Sequence, residues 1–424
     1  MNSFASKIAL MLTDAGLRNR LLFLIGILFV FRVLAAIPVP GVNSTELAQF
    51  FQNSQFLGLL NLFSGGGLSS LSVVLLGVGP YITASIVMQL LTFVSPKLKE
   101  LYQEEGEAGR QKFSQYARLL TLPVALIQGA GFLFLLEREA IVPQLTILSF
   151  SAGLLVVVAG SMFLMWLGEL ISEFGLGNGV SVIIFAGIVA RLPQDASQAL
   201  FAFDPSQLPA YIGLLVAALA IVAAVVFVTE AERPVPVTYA KRVRGMKVYG
   251  GTSTYLPLRL NQAGVIPIIF ALSLLLLPQM AANFLAGLSA HPHVVAVAQA
   301  VQAFLANLTF YGICYFILVF LFTYFYTAVT FDPVQIAENL QRNGAFIPGV
   351  RPGRATEEYL GRLITRITFV GALFLAIVAV LPIAVQGLTG IQTLTIGGTA
   401  LLIVVSVVLD LAQRVDAQIA IREY

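Results

Sequence analysis

Ten apolar segments recur along the chain, near residues 21–37, 73–94, 117–136, 147–168, 180–190, 209–229, 263–282, 306–330, 364–384 and 393–411. A hydrocarbon core of ~30 Å takes about 20 apolar residues to cross as a helix. Inside it every backbone N–H and C=O must be bonded within the protein, which leaves only helices and closed barrels. Charged residues make up 11% of the chain, against about 25% in soluble domains. The predicted class is therefore an all-α, multi-pass membrane protein. The fifth segment is too short to cross alone; Gly175-Leu-Gly-Asn-Gly179 precedes it and Arg191-Leu-Pro193 closes it. It is read as a short span screened from lipid by its neighbours. The first run lacks a small-residue cleavage site, which predicts a retained span rather than a cleaved signal.

Ten spans return the C-terminus to the side of the N-terminus. Of 24 Lys and Arg, all but Arg32, Arg138 and Arg191 fall in the two tails, in the connections on that side or at the span ends that meet them. The positive-inside rule makes it cytoplasmic. The opposite face is sparsely charged, and residues 283–305 are expected to form an uncharged exoplasmic loop. Spans one to five (1–204) and six to ten (205–424) divide the chain into two halves. An odd number of spans per half forces opposite orientations, so an inverted repeat is permitted. Two large cytoplasmic loops interrupt the second half. Residues 231–260 hold six basic side chains against one acid. Residues 331–362 are balanced but present Arg351 and Arg354 in Ile347-Pro-Gly-Val-Arg-Pro-Gly-Arg354. Basic loops commonly serve topology and anionic headgroups; a Pro/Gly-stiffened loop carrying arginines also suits a docking partner.

Catalytic and metal chemistry find little to work with. His291 and His293 share one expected exoplasmic loop with no acidic ligand set, so no metal site is predicted. The lone Cys314 lies in an apolar run and reads as a small packed hydrophobe. Gly65-Gly-Gly67 and Gly175-Leu-Gly-Asn-Gly179 follow no strand, so a nucleotide cradle is weak, and no cofactor is expected. Ion-coupled transporters hold ionisable groups near the midplane, whereas here Arg32 is the clear charge inside a span. Apolar and hydroxyl-lined spans favour a passive conduit, with a secondary transporter of a small solute as the alternative.

Leu59 to Ser70 is short and studded with Ser and Gly, and the uncharged run 73–94 follows at once. Such a stretch cannot span, and at membrane depth it is tolerated only where protein or a water-filled cavity shields it. A half-helix beside a cavity and an exoplasmic surface turn both satisfy this composition.

Several strings then coincide in order along nearly the whole chain: Phe63-Ser-Gly-Gly-Gly-Leu68, Gly79-Pro-Tyr-Ile-Thr-Ala-Ser85, Glu105-Gly-Glu-Ala-Gly-Arg110, Phe163-Leu-Met-Trp-Leu-Gly-Glu169, Gly177-Asn-Gly-Val-Ser181, Tyr239-Ala-Lys-Arg242, Leu256-Pro-Leu-Arg-Leu-Asn-Gln-Ala-Gly-Val-Ile-Pro267, Gly344-Ala-Phe-Ile-Pro-Gly-Val-Arg-Pro-Gly353 and Gly397-Gly-Thr-Ala-Leu-Leu-Ile403. Together they resemble the SecY family, the central subunits of bacterial protein-translocation channels. The resemblance implies two inverted five-helix halves around an hourglass pore in the cytoplasmic (inner) membrane, opening sideways to lipid. It implies a plug helix near Leu60 to Ser70, taking in Asn61, Leu62, Phe63, Ser64, Gly65, Gly66, Gly67 and Leu68. The family's pore ring falls on Val78, Ile82, Val180, Ile184, Ile269 and Ile403. Positions 78 and 82, and 180 and 184, stack on one helix face; ordinary helix packing would produce the same spacing. The resemblance places the lateral gate between spans two and three on one side and seven and eight on the other, where Thr83, Ser85, Gln89, Thr92, Asn261 and Gln262 are the polar candidates. The implied partners are SecE-like and SecG-like small membrane subunits, the motor ATPase SecA, the ribosome, membrane lipid and signal-sequence-bearing polypeptides. Arg242, Arg244, Lys247, Arg351 and Arg354 are the expected docking residues for motor or ribosome.

Overall fold

The computed structural model describes residues 14–39, 61, 64–68, 71–103, 105–138, 146–201, 208–239, 242–244, 247–249, 253–288, 292–389 and 393–422. Each of the ten expected spans falls on a helix. In chain order these are α1 (Ala15–Ala36), α2 (Gly79–Val94), α4 (Gly106–Arg138), α5 (Ile147–Phe174), α6 (Gly179–Phe201), α7 (Leu208–Glu230), α8 (Ile266–Leu288), α10 (Leu308–Thr330), α12 (Arg354–Thr389) and α13 (Thr393–Arg422). Shorter helices are α3 (Pro96–Gln103), α9 (Pro292–Ala306) and α11 (Pro333–Arg342). Several helix starts are legible in chemistry: the side chains of Asp14, Thr146, Asn307 and Asp332 accept from first-turn amides of α1, α5, α10 and α11, replacing helix bonds that those amides lack. Pro96 holds Ser95 in extended backbone, and α3 leaves α2 at 116°.

Apolar side chains face outward as well as inward. Leu22, Ile25, Phe29 and Val33 on α1, and Ile212, Leu215 and Leu219 on α7, are exposed. In water such faces would drive aggregation; on spans of this length they meet acyl chains. The chain is thus a multi-pass membrane protein. Within the N-terminal half α2 packs on α4 and α1 on α5; within the C-terminal half α10 packs on α12 and α7 on α13. The halves meet along two seams, α8 against α2 and α4, and α13 against α6. One hydrophobic core runs through both halves.

Four local expectations change. Residues 292–306 form a helix, α9, rather than a plain exoplasmic loop; fifteen largely apolar residues lacking internal Gly or Pro sustain helical hydrogen bonding without any charge. The fifth span does not stop at Pro193, since α6 runs through it to Phe201; helices in lipid tolerate proline because neighbours satisfy the freed carbonyl. Span two begins helically only at Gly79, and residues 73–78 are turns. Span seven begins at Ile266, so Asn261 and Gln262 lie in the turn before it.

The two long loops of the second half carry the remaining structure. Strands β1 (Glu232–Tyr239) and β4 (Ser253–Arg259) pair antiparallel, and β5 (Ala345–Phe346), from the other loop, joins the free edge of β1 at Thr238 and Tyr239. Pro234 and Pro236 lie where that edge stays open, the position a strand proline requires. Between β1 and β4, β2 (Arg242–Arg244) and β3 (Lys247–Tyr249) form a two-stranded ribbon. Val235, Val237, Leu258, Ala345, Ile347, Leu360 and Ile364 close a second hydrophobic cluster beneath the sheet. Two loops distant in sequence therefore make one platform.

Candidate functional site

Four helices from both halves carry the expected ring positions into one buried cluster. Ile82 (on α2), Ile184 (α6), Ile269 (α8) and Ile403 (α13) are all at most 4% exposed and belong to the same buried cluster as Val78, with Val180 packed against it. Val78 is the N-cap of α2 and not inside the helix, yet its carbonyl accepts from Ile82 N at 3.1 Å, which keeps the two one turn apart. Leu68, Leu71, Val74 and Leu75, from the segment before α2, fill the same cluster. Residues before α2 and the expected ring positions thus share one apolar cluster, which offers water no hydrogen-bond partner.

The described part of the expected plug is a series of turns. Asn61 is helical, Ser64 to Leu68 turn, and Leu62, Phe63, Ser69 and Ser70 lie outside the described residues. Gly65 and Gly66 have φ of +62° and +87°, a left-handed backbone that explains two of the three consecutive glycines. The serines have a separate task. Ser64 Oγ donates to the Asn61 carbonyl and accepts from Leu68 N, Ser72 Oγ donates to the Gly67 carbonyl at 3.0 Å, and Ser161 Oγ of α5 donates to the Gly77 carbonyl at 2.6 Å. Val39 N donates to the Leu71 carbonyl and Val73 N to that of Ile37. Irregular backbone at this depth is thereby satisfied by protein. Gly65 faces Gly187 of α6 so closely that a Cβ on either would strike the other's backbone or the Phe31 ring. Leu71, at the junction with span two, holds φ of +42°, a strained backbone for a residue with a side chain.

At the seam, the polar candidates divide. Thr83 is buried and accepts from Gln128 Nε2 of α4 at 3.4 Å, a partner that sequence reasoning missed. Thr92 Oγ1 donates to the Gln89 carbonyl of its own helix at 2.6 Å, and Ser85 is half-buried on α2. Gln89 Oε1 and Asn261 Oδ1 are buried and have no hydrogen-bond partner among the described residues. Asn261 Nδ2 donates to the Gly264 carbonyl, and its backbone lies against Gly371 of α12, inside its own half. Gln262 sits beside it in the same turn. What crosses the seam is chiefly apolar: α8 packs on α2 and α4, and the Phe93 ring of α2 lies 4.8 Å from Phe325 of α10. Behind it Phe270 of α8 meets Phe322 and Tyr326 of α10 edge-on.

Sequence reasoning also missed an ion pair between spans. Arg118 of α4 donates to Glu169 of α5, whose side chain is 17% exposed. The signal was present: spans three and four are consecutive and run in opposite directions, so 118 near the start of one and 169 near the end of the other reach one level.

On the platform, the ribbon pairs Arg242 with Tyr249 and Arg244 with Lys247. Arg351 is exposed, and its carbonyl accepts from Thr356 Oγ1 at 2.9 Å, fixing the loop to α12. Arg354 opens α12 and lies 3.5 Å from Glu358. A polar chain joins the platform to the base of α13: Arg259 Nη1 donates to Gln413 Oε1 at 2.6 Å, and Gln413 Nε2 to Glu230 Oε1 at 2.9 Å.

Comparison with known proteins agrees with this geometry. The family model described as SecY matches residues 72–412. The protein translocase subunit SecY of Thermotoga maritima is 42% identical over 419 residues, covering 96% of this chain and 94% of its own length. Its counterpart in Mycobacterium tuberculosis is 40% identical over 433 residues, covering 97% of each. A solved structure described as a protein conducting channel aligns with a TM-score of 0.66 at 20% identity, over 93% of this chain and 90% of that one. Sec61 in the canine ribosome–channel complex aligns at 0.62 and 18%, again over 93% and 90%. The family match, the near-complete coverage of its relatives and the shared fold lead to one assignment: the chain belongs to the SecY family.

Proposed function

We propose that this chain is the pore subunit through which polypeptides cross the cytoplasmic membrane, and from which apolar helices leave sideways into lipid. SecY-family membership supports a protein-conducting channel over a small-solute transporter, and a conduit over a catalyst. The observation that carries the finer reading is the single buried cluster joining Leu68 to Val78, Ile82, Ile184, Ile269 and Ile403. Residues 61–70 act as the plug and the ring as the gasket. The two halves, 1–204 and 205–424, hinge apart at the α8 seam. A signal helix with ten Leu-class residues gains about 3–6 kcal/mol on entering lipid, enough to offset a few seam contacts of about 0.6–2 kcal/mol each. Both termini and the platform face the cytoplasm, where Arg242, Arg244, Lys247, Arg351 and Arg354 receive the SecA motor or the ribosome. SecE-like and SecG-like subunits cover part of the apolar exterior. Deleting residues 61–70 tests the seal: resting ion conductance of the reconstituted channel in planar bilayers should rise, and an unchanged conductance would refute the plug assignment.

A further inference from the structure

Three basic residues break the charge asymmetry of the chain, Arg32, Arg138 and Arg191, and two of them meet at the plug turn. Arg32 of α1 donates from Nη1 to the Gly65 carbonyl at 3.4 Å. The Arg191 stem, from α6, lies where a Cβ on Gly66 would sit 3.3 Å from its Cδ. Between them Phe31, fully buried, and Gly187 press on Gly65 from α1 and α6. The turn is thus gripped from two spans of the same half, at adjacent glycines.

We infer that Arg32 is the latch that keeps the plug seated, with Arg191 and Gly187 forming the opposite jaw. This rests on the plug reading above and adds the residue that controls it. Left-handed glycines turn their carbonyls away from the ladder of a helix, so the Gly65 carbonyl needs an outside donor. A guanidinium supplies one on a long stem, and a hydrogen bond to a charged donor is stronger than a neutral one. It also explains a charge within a span, where an ionisable group otherwise carries a penalty. When a passing chain displaces the turn, the Arg32 donor is released toward the exoplasmic side of the conduit. The latch therefore sets how readily the plug leaves, while the ring sets how tightly the closed pore excludes water.

The test uses the purified full-length channel with its companion subunits in proteoliposomes, reading resting ion leak. A second readout is maleimide labelling of Leu68→Cys in a Cys314→Ser background, added from the exoplasmic side. Arg32→Leu should raise both leak and labelling rate by roughly tenfold, the population shift expected on losing a hydrogen bond to a charged group. Arg32→Lys, which keeps a cationic donor, should restore most of the seal. In a channel lacking residues 61–70, Arg32→Leu should add no further leak, because a latch acts only through what it holds. If the deletion leaks but Arg32→Leu seals like the parent, the latch is wrong and the plug stands. If the deletion itself does not leak, both fall. Additive leak in the deleted channel would place Arg32 elsewhere in the pore and overturn the inference. Should Arg32→Leu fail to assemble, Arg32→Gln, whose shorter amide stops short of the Gly65 carbonyl, gives the same comparison.

Discussion

A branched alkyl side chain at the proposed ring excludes water and offers a passing peptide nothing to bond. That combination suits a conduit indifferent to the sequence it carries, and Ile82, Ile184, Ile269 and Ile403 provide it at burial of 4% exposure or less. The i, i+4 spacing of 78 with 82 and 180 with 184 did not reveal this, since two packed core residues read identically; the resemblance selected the ring, and convergence in one cluster supports it. Polar residues were harder still. Gln128 and Glu169 stand in runs whose neighbours are apolar, and only the pairing of antiparallel spans shows that each has a partner, Thr83 and Arg118. The Arg118–Glu169 pair gives a stability prediction. Glu169→Gln leaves a partly buried guanidinium without its counter-charge, a change of several kcal/mol when burial is complete. Because Arg118 keeps 46% of its side-chain exposure, we expect about 1–2 kcal/mol, seen as a lower unfolding midpoint in detergent, with Arg118→Gln combined with Glu169→Gln less destabilised than either alone.

Helices were legible and their interruptions were not. Hydropathy located all ten spans because each run must satisfy its backbone within itself. It missed the turns at 73–78, where Ser161 and the 37–39 segment bond the backbone from outside the run, and it missed α9, which is apolar but too short to span. The plug segment shows why such places resist reading: its serines and glycines answer to carbonyls and backbones contributed by other elements. At the seam, packing of α8 on α2 and α4 and the Phe93–Phe325 pair stand beside the polar candidates. An aromatic pair adds about 0.5–1.5 kcal/mol beyond its area. Phe93→Ala should therefore ease opening, letting signal sequences with one or two fewer leucines initiate transport in a vesicle assay. An unchanged hydrophobicity threshold would remove this pair from the gate.

Across the whole molecule, the largest feature beyond the reach of sequence reading is the platform. Val235-Pro-Val237 and Leu256-Pro-Leu258 alternate as strands do, yet β5 and α12, more than eighty residues further on, complete the cluster. Joining the two loops sets β5 on β1 and, through Arg259 and Gln413, ties the sheet to α13, which carries Ile403. Arg351→Glu reverses a charge on an exposed loop without touching the cluster beneath it. It should abolish motor-driven transport into reconstituted vesicles, while resting leak and expression stay as in the parent. Transport at parental rate would mean that the motor docks elsewhere.

If the proposed ring is the conduit, a polypeptide in transit passes between side chains contributed by both halves. Single cysteines at Ile82, Ile184 and Ile403, in a Cys314→Ser background, can be crosslinked to a photoreactive or cysteine-bearing chain stalled in transit. Adducts are expected at all three positions, from α2, α6 and α13, and none at the outward-facing Leu219 of α7. Adducts at one half alone, or equal labelling at Leu219, would contradict the proposed ring.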